Sequence, residues 1–199
     1  MNKELQQESG CPPIAYLLPL LLMKSLIIID AQNEFSPEGK RPVPGHAQII
    51  NVIRDRVELA RKEDGYVAWV RHFNRPTESP AFVPGTWGSE FVPGFGPDLR
   101  AAREREFQKD VYGAFTGTDL GAWLQAIGAN EVEIMGFYTH GCVSTTAREA
   151  IMAGFIVRLP LEGTGACAMQ HDLLGTQTAE EVRRTALLQL ENMGAIIYL

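Results

Sequence analysis

The sequence predicts an α/β protein, a Rossmann-like three-layer α/β/α sandwich built on a parallel sheet. Three observations carry this. The segment SLIIID (25–30) is an unbroken branched-aliphatic run ending in a carboxylate, the pattern of a strand covered on both faces. From Lys24 to Leu199, strand-like and helix-like segments alternate, which requires parallel pairing with right-handed crossovers. Apolar residues make up 45% of the 199 positions and charged residues 21%, enough for one packed core in a chain too short for two comfortable domains.

The elements follow in order. After the first strand and a Pro/Gly-rich loop, Ile49, Val52, Ile53, Val57 and Ala60 recur at helical spacing, with a stop near Gly65. YVAWVRHF (66–73) is a second strand. The segment 74–100 is rich in proline and glycine and has no period; loops of that length are functional lids or disordered, and Phe82, Trp87, Phe91 and Phe95 favour an ordered lid. REFQKD (105–110) is a third strand, and TDLGAWLQAIG (118–128) a helix with Thr118 as cap and Gly128 as stop. EVEIMGF (131–137) and FIVRLPL (155–161) are strands flanking a helix, CVSTTAREAIMAG (142–154), whose Val143, Ala147, Ala150 and Ile151 share a face. TAEEVRRTALLQLENMG (178–194) is the last helix, with Val182, Ala186, Leu190 and Met193 inward, and AIIYL (195–199) the last strand.

Lys plus Arg number 18 and Asp plus Glu 24, a net charge of −6. That balance argues against a nucleic-acid binder or a polybasic membrane module, both of which concentrate positive charge. Three cysteines (Cys11, Cys142, Cys167) are too few and odd in number for a disulfide framework, so a reducing, cytoplasmic location is expected. Residues 1–22 differ from the rest: a polar MNKELQQESG, then an apolar stretch broken by Pro19 that falls short of the roughly 20 residues of a membrane span. It also lacks the basic start and cleavage site of a signal peptide. It is either a leader ahead of a start at Met23 or, as expected here, an N-terminal extension (1–22) preceding a single domain (23–199).

Ligands of open parallel sheets bind beyond the carboxyl ends of the strands, where the strand order reverses. Three reactive side chains are delivered there: Asp30 ends the first strand, Lys109 the third, and Cys142 follows the fourth after FYTHG and opens a helix. Each is ordinary alone, since strand-end aspartates cap turns, lysines sit on surfaces and cysteines fill small buried spaces; their conjunction is not. A helix N-terminus and a neighbouring ammonium would both lower the Cys142 pKa. Asp30 would take the thiol proton and return it to a departing amine, and backbone amides around Cys142 would hold the oxyanion. Together these parts would make a hydrolase of amide-like carbonyl groups that needs no histidine base.

The segments DAQNEF (30–35), QKDVYGAF with GTDL (108–120), and GFYTHGCVSTTAREAIMAGF (136–155) resemble the signature regions of the isochorismatase-like cysteine hydrolase superfamily, over essentially all of 24–199. The resemblance implies an Asp30–Lys109–Cys142 triad, a six-stranded parallel sheet, a hydrolase domain over 23–199, and a homodimer or homotetramer. It also implies a cis peptide at Phe137–Tyr138, with the backbone of Tyr138 and Cys142 forming the oxyanion hole. The family usually carries Asp-Ala after the fifth strand, where this chain has Glu162-Gly163.

Within the superfamily, nicotinamidases carry an Asp-x-His…His metal set after the second strand, whereas RHFNRP (71–76) offers only His72. His46, His140 and His171 are scattered, so neither a metal nor another cofactor is expected. The isochorismatases proper lack the cysteine. GTWGSE (85–90) and the missing ligands look more like the branch that hydrolyses carbamoyl amides and ureides. A small-molecule amide or ureide is thus the expected substrate, with a nicotinamidase-type amidase and a non-hydrolytic reactive-thiol or binding module as alternatives. Phe35, Trp87, Tyr112 and Tyr138 would form an aromatic wall or simply pack a lid. Arg75 would bind a substrate carboxylate or sit in solvent. His140 is a turn residue, because Asp30 already supplies the base. Cys167 and His171 would share a face if GACAMQH is helical, with Cys167 structural and buried.

Overall fold

A computed structural model describes residues 24–98 and 100–199; the N-terminal extension expected over 1–22 lies outside the described residues. The first strand, β1 (Lys24–Ile29), occupies the middle of the sheet. The helix α1 (His46–Lys62) leads to β2 (Tyr66–His72), which pairs parallel with β1, and β3 (Glu104–Lys109) adds outside β2. The helix α2 (Leu120–Ala126) then carries the chain back to β4 (Glu131–Phe137), which pairs parallel with the other side of β1. The helix α3 (Ser144–Met152) leads to β5 (Ile156–Pro160) beside β4, and the two-residue β6 (Thr164–Gly165) joins the far end of β4. A hairpin of β7 (Met169–His171) and β8 (Gly175–Gln177), the helix α4 (Ala179–Asn192) and the edge strand β9 (Ile196–Tyr198) complete the chain.

The sheet order is β3-β2-β1-β4-β5-β9, six parallel strands as expected, with β6 as a seventh, short addition. The order reverses between β1 and β4, so the switch point lies at Ile29, Asp30 and the end of β4.

Alternation along buried strands sends residues to two cores. Ile27, Ile29, Ala68, Val70, Val132 and Ile134 face α2, α3 and α4, against Leu120, Leu124, Ala147, Ala150, Leu187 and Leu190. Leu26, Ile28, Val67, Trp69, Met135 and Phe137 face α1, against Ile49, Ile50, Ile53 and Val57. This is the three-layer sandwich. The fourth helix starts with a reciprocal cap: the Glu181 amide donates to Thr178 Oγ1 at 3.2 Å and the Thr178 amide to Glu181 Oε2 at 2.8 Å.

Three local expectations are corrected. Helix 142–154 begins as a wide turn, Thr139–Val143, with Gly141 outside helical geometry, before α3 proper. Met193 is not inward: it is the residue that caps α4, directly after Asn192, and is 40% exposed. The run holding Cys167 and His171 is not helical; it enters the β7–β8 hairpin, and Cys167 is half-buried. Glu162, the departure from the family pattern, is on an exposed turn, whereas Gly163 is buried against Met135 and Pro160.

At the switch point the β1 and β4 backbones approach so closely that a Cβ on Gly136 would lie 1.9 Å from the Ile29 carbonyl oxygen, and Gly136 has φ 127°. Gly136→Ala is therefore expected to cost about 3 kcal/mol, combining overpacking with backbone strain. Urea unfolding measures it; an unchanged midpoint contradicts the close approach.

Candidate active site

Each member of the predicted triad arrives by a different backbone device. Asp30 leaves β1 with φ 53°, its amide still donating to the Val70 carbonyl at 2.9 Å. Lys109 ends β3 in register with His72 of β2, so its side chain reaches across the end of β2 toward Asp30. Cys142 lies in the turn after β4, where the Tyr138 carbonyl accepts from the amides on either side of it, Gly141 at 3.0 Å and Val143 at 3.2 Å. The Phe137–Tyr138 peptide is cis, as the resemblance implied.

The side chains meet. Lys109 Nζ donates to Asp30 Oδ2 at 2.9 Å, with side-chain exposures of 0% and 1%. The Cys142 thiol lies against both groups and is itself 8% exposed. Asp30 Oδ1 is buried without a hydrogen-bond partner. One carboxylate oxygen is thus clamped by the ammonium and the other is left to accept a proton.

The electrostatics correct one expectation. Burial, followed by the Asp30 charge, pushes the Cys142 thiol well above its ordinary range, and Lys109 only partly offsets this. A helix N-terminus does not prevail here, because the sulfur sits inside the protein next to a carboxylate. Burial and the Asp30 charge thus favour the thiol form of Cys142. For Lys109, burial works to lower the pKa, but Asp30 and then Cys142 overcome it, and the ammonium is held above the usual lysine value.

Residues 74–98 form an ordered cover tied down by residues directly after Asp30. Gln32 Nε2 donates to the Ser89 carbonyl at 2.8 Å and to the His72 carbonyl at 3.0 Å, while Gln32 Oε1 accepts from the His72 amide at 2.9 Å. Asn33 Nδ2 donates to the Trp87 carbonyl at 3.0 Å, and the Val92 amide to the Ala31 carbonyl at 3.0 Å. Buried Glu34 packs so tightly on Gly88 that a Cβ there would lie 1.6 Å from Oε2, which explains the glycine of GTWGSE. Sequence reasoning singled out this motif but missed Gln32, whose role needs β2 and the cover to be neighbours.

The predicted lining residues divide. Tyr112 is 66% exposed and lies over the turn that holds Cys142, within 3.5 Å of where a Gly141 Cβ would be. Trp87 is exposed, and Tyr138 is half-buried with its hydroxyl donating to the Arg41 carbonyl at 3.0 Å. Phe35 is not at the surface: it is core, 4.8 Å from the Tyr138 ring and 5.1 Å from those of Phe82 and Phe137, so it backs Tyr138. Arg75 is exposed and flanked by Glu78 at 3.8 Å and Asp110 at 3.6 Å. His140 stacks on Tyr138 at 5.1 Å, and burial lowers its pKa.

Among the described residues, no group of three or more His, Cys, Asp or Glu side chains is arranged to hold a metal ion. His72 has both nitrogens engaged, Nε2 with Asn74 Oδ1 at 2.8 Å and Nδ1 with Lys109 Nζ at 3.3 Å. The residues present do not fit the metal set that nicotinamidase resemblance implies. Nor, among the described residues, is any helix long and apolar enough to cross a membrane.

A family model, the isochorismatase domain, matches residues 24–198. The nicotinamidase/pyrazinamidase of Mycobacterium tuberculosis is 30% identical over 189 residues, spanning 84% of this chain and 98% of that protein. A streptothricin hydrolase of Streptomyces noursei is 31% identical over 139 residues, spanning 69% of this chain and 48% of that protein. A crystal structure of an isochorismatase from Pseudomonas putida KT2440 superposes with a TM-score of 0.80 at 27% identity, covering 88% of this chain and 87% of that one.

Removing Lys109 takes away the one neighbour that favours the Cys142 thiolate, so Lys109→Met is expected to slow iodoacetamide alkylation of Cys142 at neutral pH by about tenfold per unit of pKa rise. It also strands a buried carboxylate, costing about 3–5 kcal/mol of stability. The wild-type pair stabilises the fold fully below the unfolded lysine pKa (about 10.4) and loses that contribution as pH rises through the higher folded value. Alkylation unchanged by the substitution would separate Lys109 from the thiol.

Proposed function

This chain belongs to the isochorismatase family of cysteine hydrolases, and we propose that it cleaves a C–N bond of a small amide or ureide, a carbamoyl-type substrate, through an acyl-enzyme on Cys142. The observation that carries the reading is the divided Asp30 carboxylate, Oδ2 clamped by Lys109 and Oδ1 buried without a hydrogen-bond partner, with the Cys142 thiol against the same carboxylate.

The sequence of steps follows. As Cys142 Sγ bonds to the substrate carbonyl carbon, its proton moves to Asp30 Oδ1, so the thiolate forms only as it is consumed, consistent with the raised thiol pKa. Backbone amides of Tyr138 and Cys142 hold the oxyanion. Collapse breaks the C–N bond, and Asp30 returns the proton to the leaving nitrogen, which departs as ammonia or an amine. Water then attacks the thioester or thiocarbamate carbon, Asp30 takes its proton, and release of the acid restores the thiol. Lys109 holds Asp30 Oδ2 in place between steps.

Tyr112, Trp87 and Tyr138 form the aromatic entrance backed by Phe35, and Arg75, fixed near Asp110, takes a substrate carboxylate. The engaged nitrogens of His72, with Asn74 and Arg75 following where further ligands would be needed, support the carbamoyl branch. A nicotinamidase-type amidase is the second reading, favoured by the M. tuberculosis relative. The unpaired Cys142 and Cys167 thiols support a cytoplasmic location. The hairpin-tip leucines, Leu173 and Leu174 at 89% and 86% exposed, support a homodimer or homotetramer, which sedimentation of wild type against Leu173→Asp/Leu174→Asp tests; a monomeric wild type rejects it.

Ammonia release is to be scored over N-carbamoyl amino acids, ureides and nicotinamide, with and without chelator. Cys142→Ala is expected to lose about 10⁴-fold or more in kcat, and Asp30→Asn to lose turnover while remaining folded. Mass spectrometry of stalled wild type should find the acyl group on Cys142. Turnover surviving in Cys142→Ala rejects the covalent mechanism, and chelator-sensitive nicotinamide hydrolysis selects the second reading.

A further inference from the structure

The ammonium of Lys109 has a partner outside the triad. We propose that His72 is a positioning residue that, as a neutral imidazole protonated on Nε2, accepts a hydrogen bond from Lys109 and so fixes the ammonium between Asp30 and Cys142. The proposal rests on the hydrolase reading for its rate consequence but not for its geometry.

The protonation pattern follows from a chain whose direction is set at its far end. The Ala81 carbonyl can only accept, so the atom of Asn74 facing it at 3.1 Å is the Nδ2 donor. The Asn74 amide is further held by its backbone, which donates to the Phe82 carbonyl at 3.0 Å. Asn74 Oδ1 is then an acceptor, and His72 Nε2, 2.8 Å away, must carry the hydrogen. Nδ1 is left with its lone pair, and Lys109 Nζ, which can only donate, lies 3.3 Å from it. The ring has little freedom. Its backbone is gripped on both sides by the Gln32 amide, and Phe82 packs on it at 5.4 Å and 88°.

The consequence is a run of hydrogen bonds from the cover segment to the catalytic carboxylate: Lys109 donates to both Asp30 and His72, His72 to Asn74, and Asn74 to Ala81. The groups facing the ammonium are Asp30 from the end of β1, His72 from the end of β2 and Cys142 from the nucleophile turn. His72 offers the ammonium a neutral nitrogen acceptor, so it holds the ammonium in place without adding a charge beside it. It also ties the position of that ammonium to the seating of residues 81 and 82.

Asparagine and glutamine separate this role from bulk and polarity. The Oδ1 of an asparagine occupies the place of Nδ1 and preserves the bond to Lys109, whereas the amide of a glutamine reaches the Nε2 position and does not. His72→Gln and His72→Leu are expected to lower kcat up to about a hundredfold with KM little changed, and His72→Asn to recover most of it. Removing an acceptor from an ammonium disfavours its charged form, so the alkaline limb of kcat/KM moves to lower pH in the Gln and Leu variants and not in the Asn variant. Iodoacetamide alkylation of Cys142 at neutral pH slows several-fold in the same two, a readout that requires no turnover and stands even if the hydrolase reading fails. The proposal is overturned if Gln and Asn behave alike, or if the Leu variant keeps the wild-type alkylation rate and pH limb. Should the Leu variant not fold, the Asn and Gln pair alone decides.

Discussion

The buried pair of Asp30 and Lys109 is the constraint around which the rest is arranged. Two ions removed from water lose several kcal/mol of solvation each, and only close contact with satisfied hydrogen bonds offsets that loss. Here the contact is 2.9 Å, and three strand ends are needed to make it: β1 carries the acid, β3 the base, and β2 between them a histidine over which the lysine reaches. The sheet order therefore cannot be altered without stranding a charge.

That pair also defines what the thiol can do. A cysteine sealed beside a carboxylate is a poor thiolate, because burial and the neighbouring negative charge both disfavour the ionised sulfur. The cover completes this arrangement. By exchanging three hydrogen bonds with Ser89 and His72, Gln32 ties the residues just after Asp30 to both the cover and the end of β2. The backbone that aims the acid and the backbone that closes the site are one hydrogen-bonded unit.

The α/β class was legible because buried parallel strands read as continuous apolar runs, of which SLIIID is one, and because strand-like and helix-like segments alternate along the chain. Less legible were segments whose shape is set by neighbours. The turn before α3 looks helical by pattern, yet it opens to let Tyr138 collect the amides around Cys142. The β7–β8 hairpin is exposed along its length and offers no apolar alternation to detect. Phe35 was read as a wall residue from its place after Asp30, but its neighbours are Phe82, Phe137 and Tyr138, which only packing brings together.

By itself the sequence determined the alternation of elements, the location of reactive groups at strand ends, and the membership of Asp30, Lys109 and Cys142 in one set, because these follow from local periodicity and from motif residues. Tertiary structure decided the protonation states and the supporting cast. Whether Cys142 rests as thiol or thiolate depends on how deeply it is buried and which charge lies closest. Likewise His72 acquires its partner only because β2 lies between β1 and β3, and such distances belong to the folded chain alone.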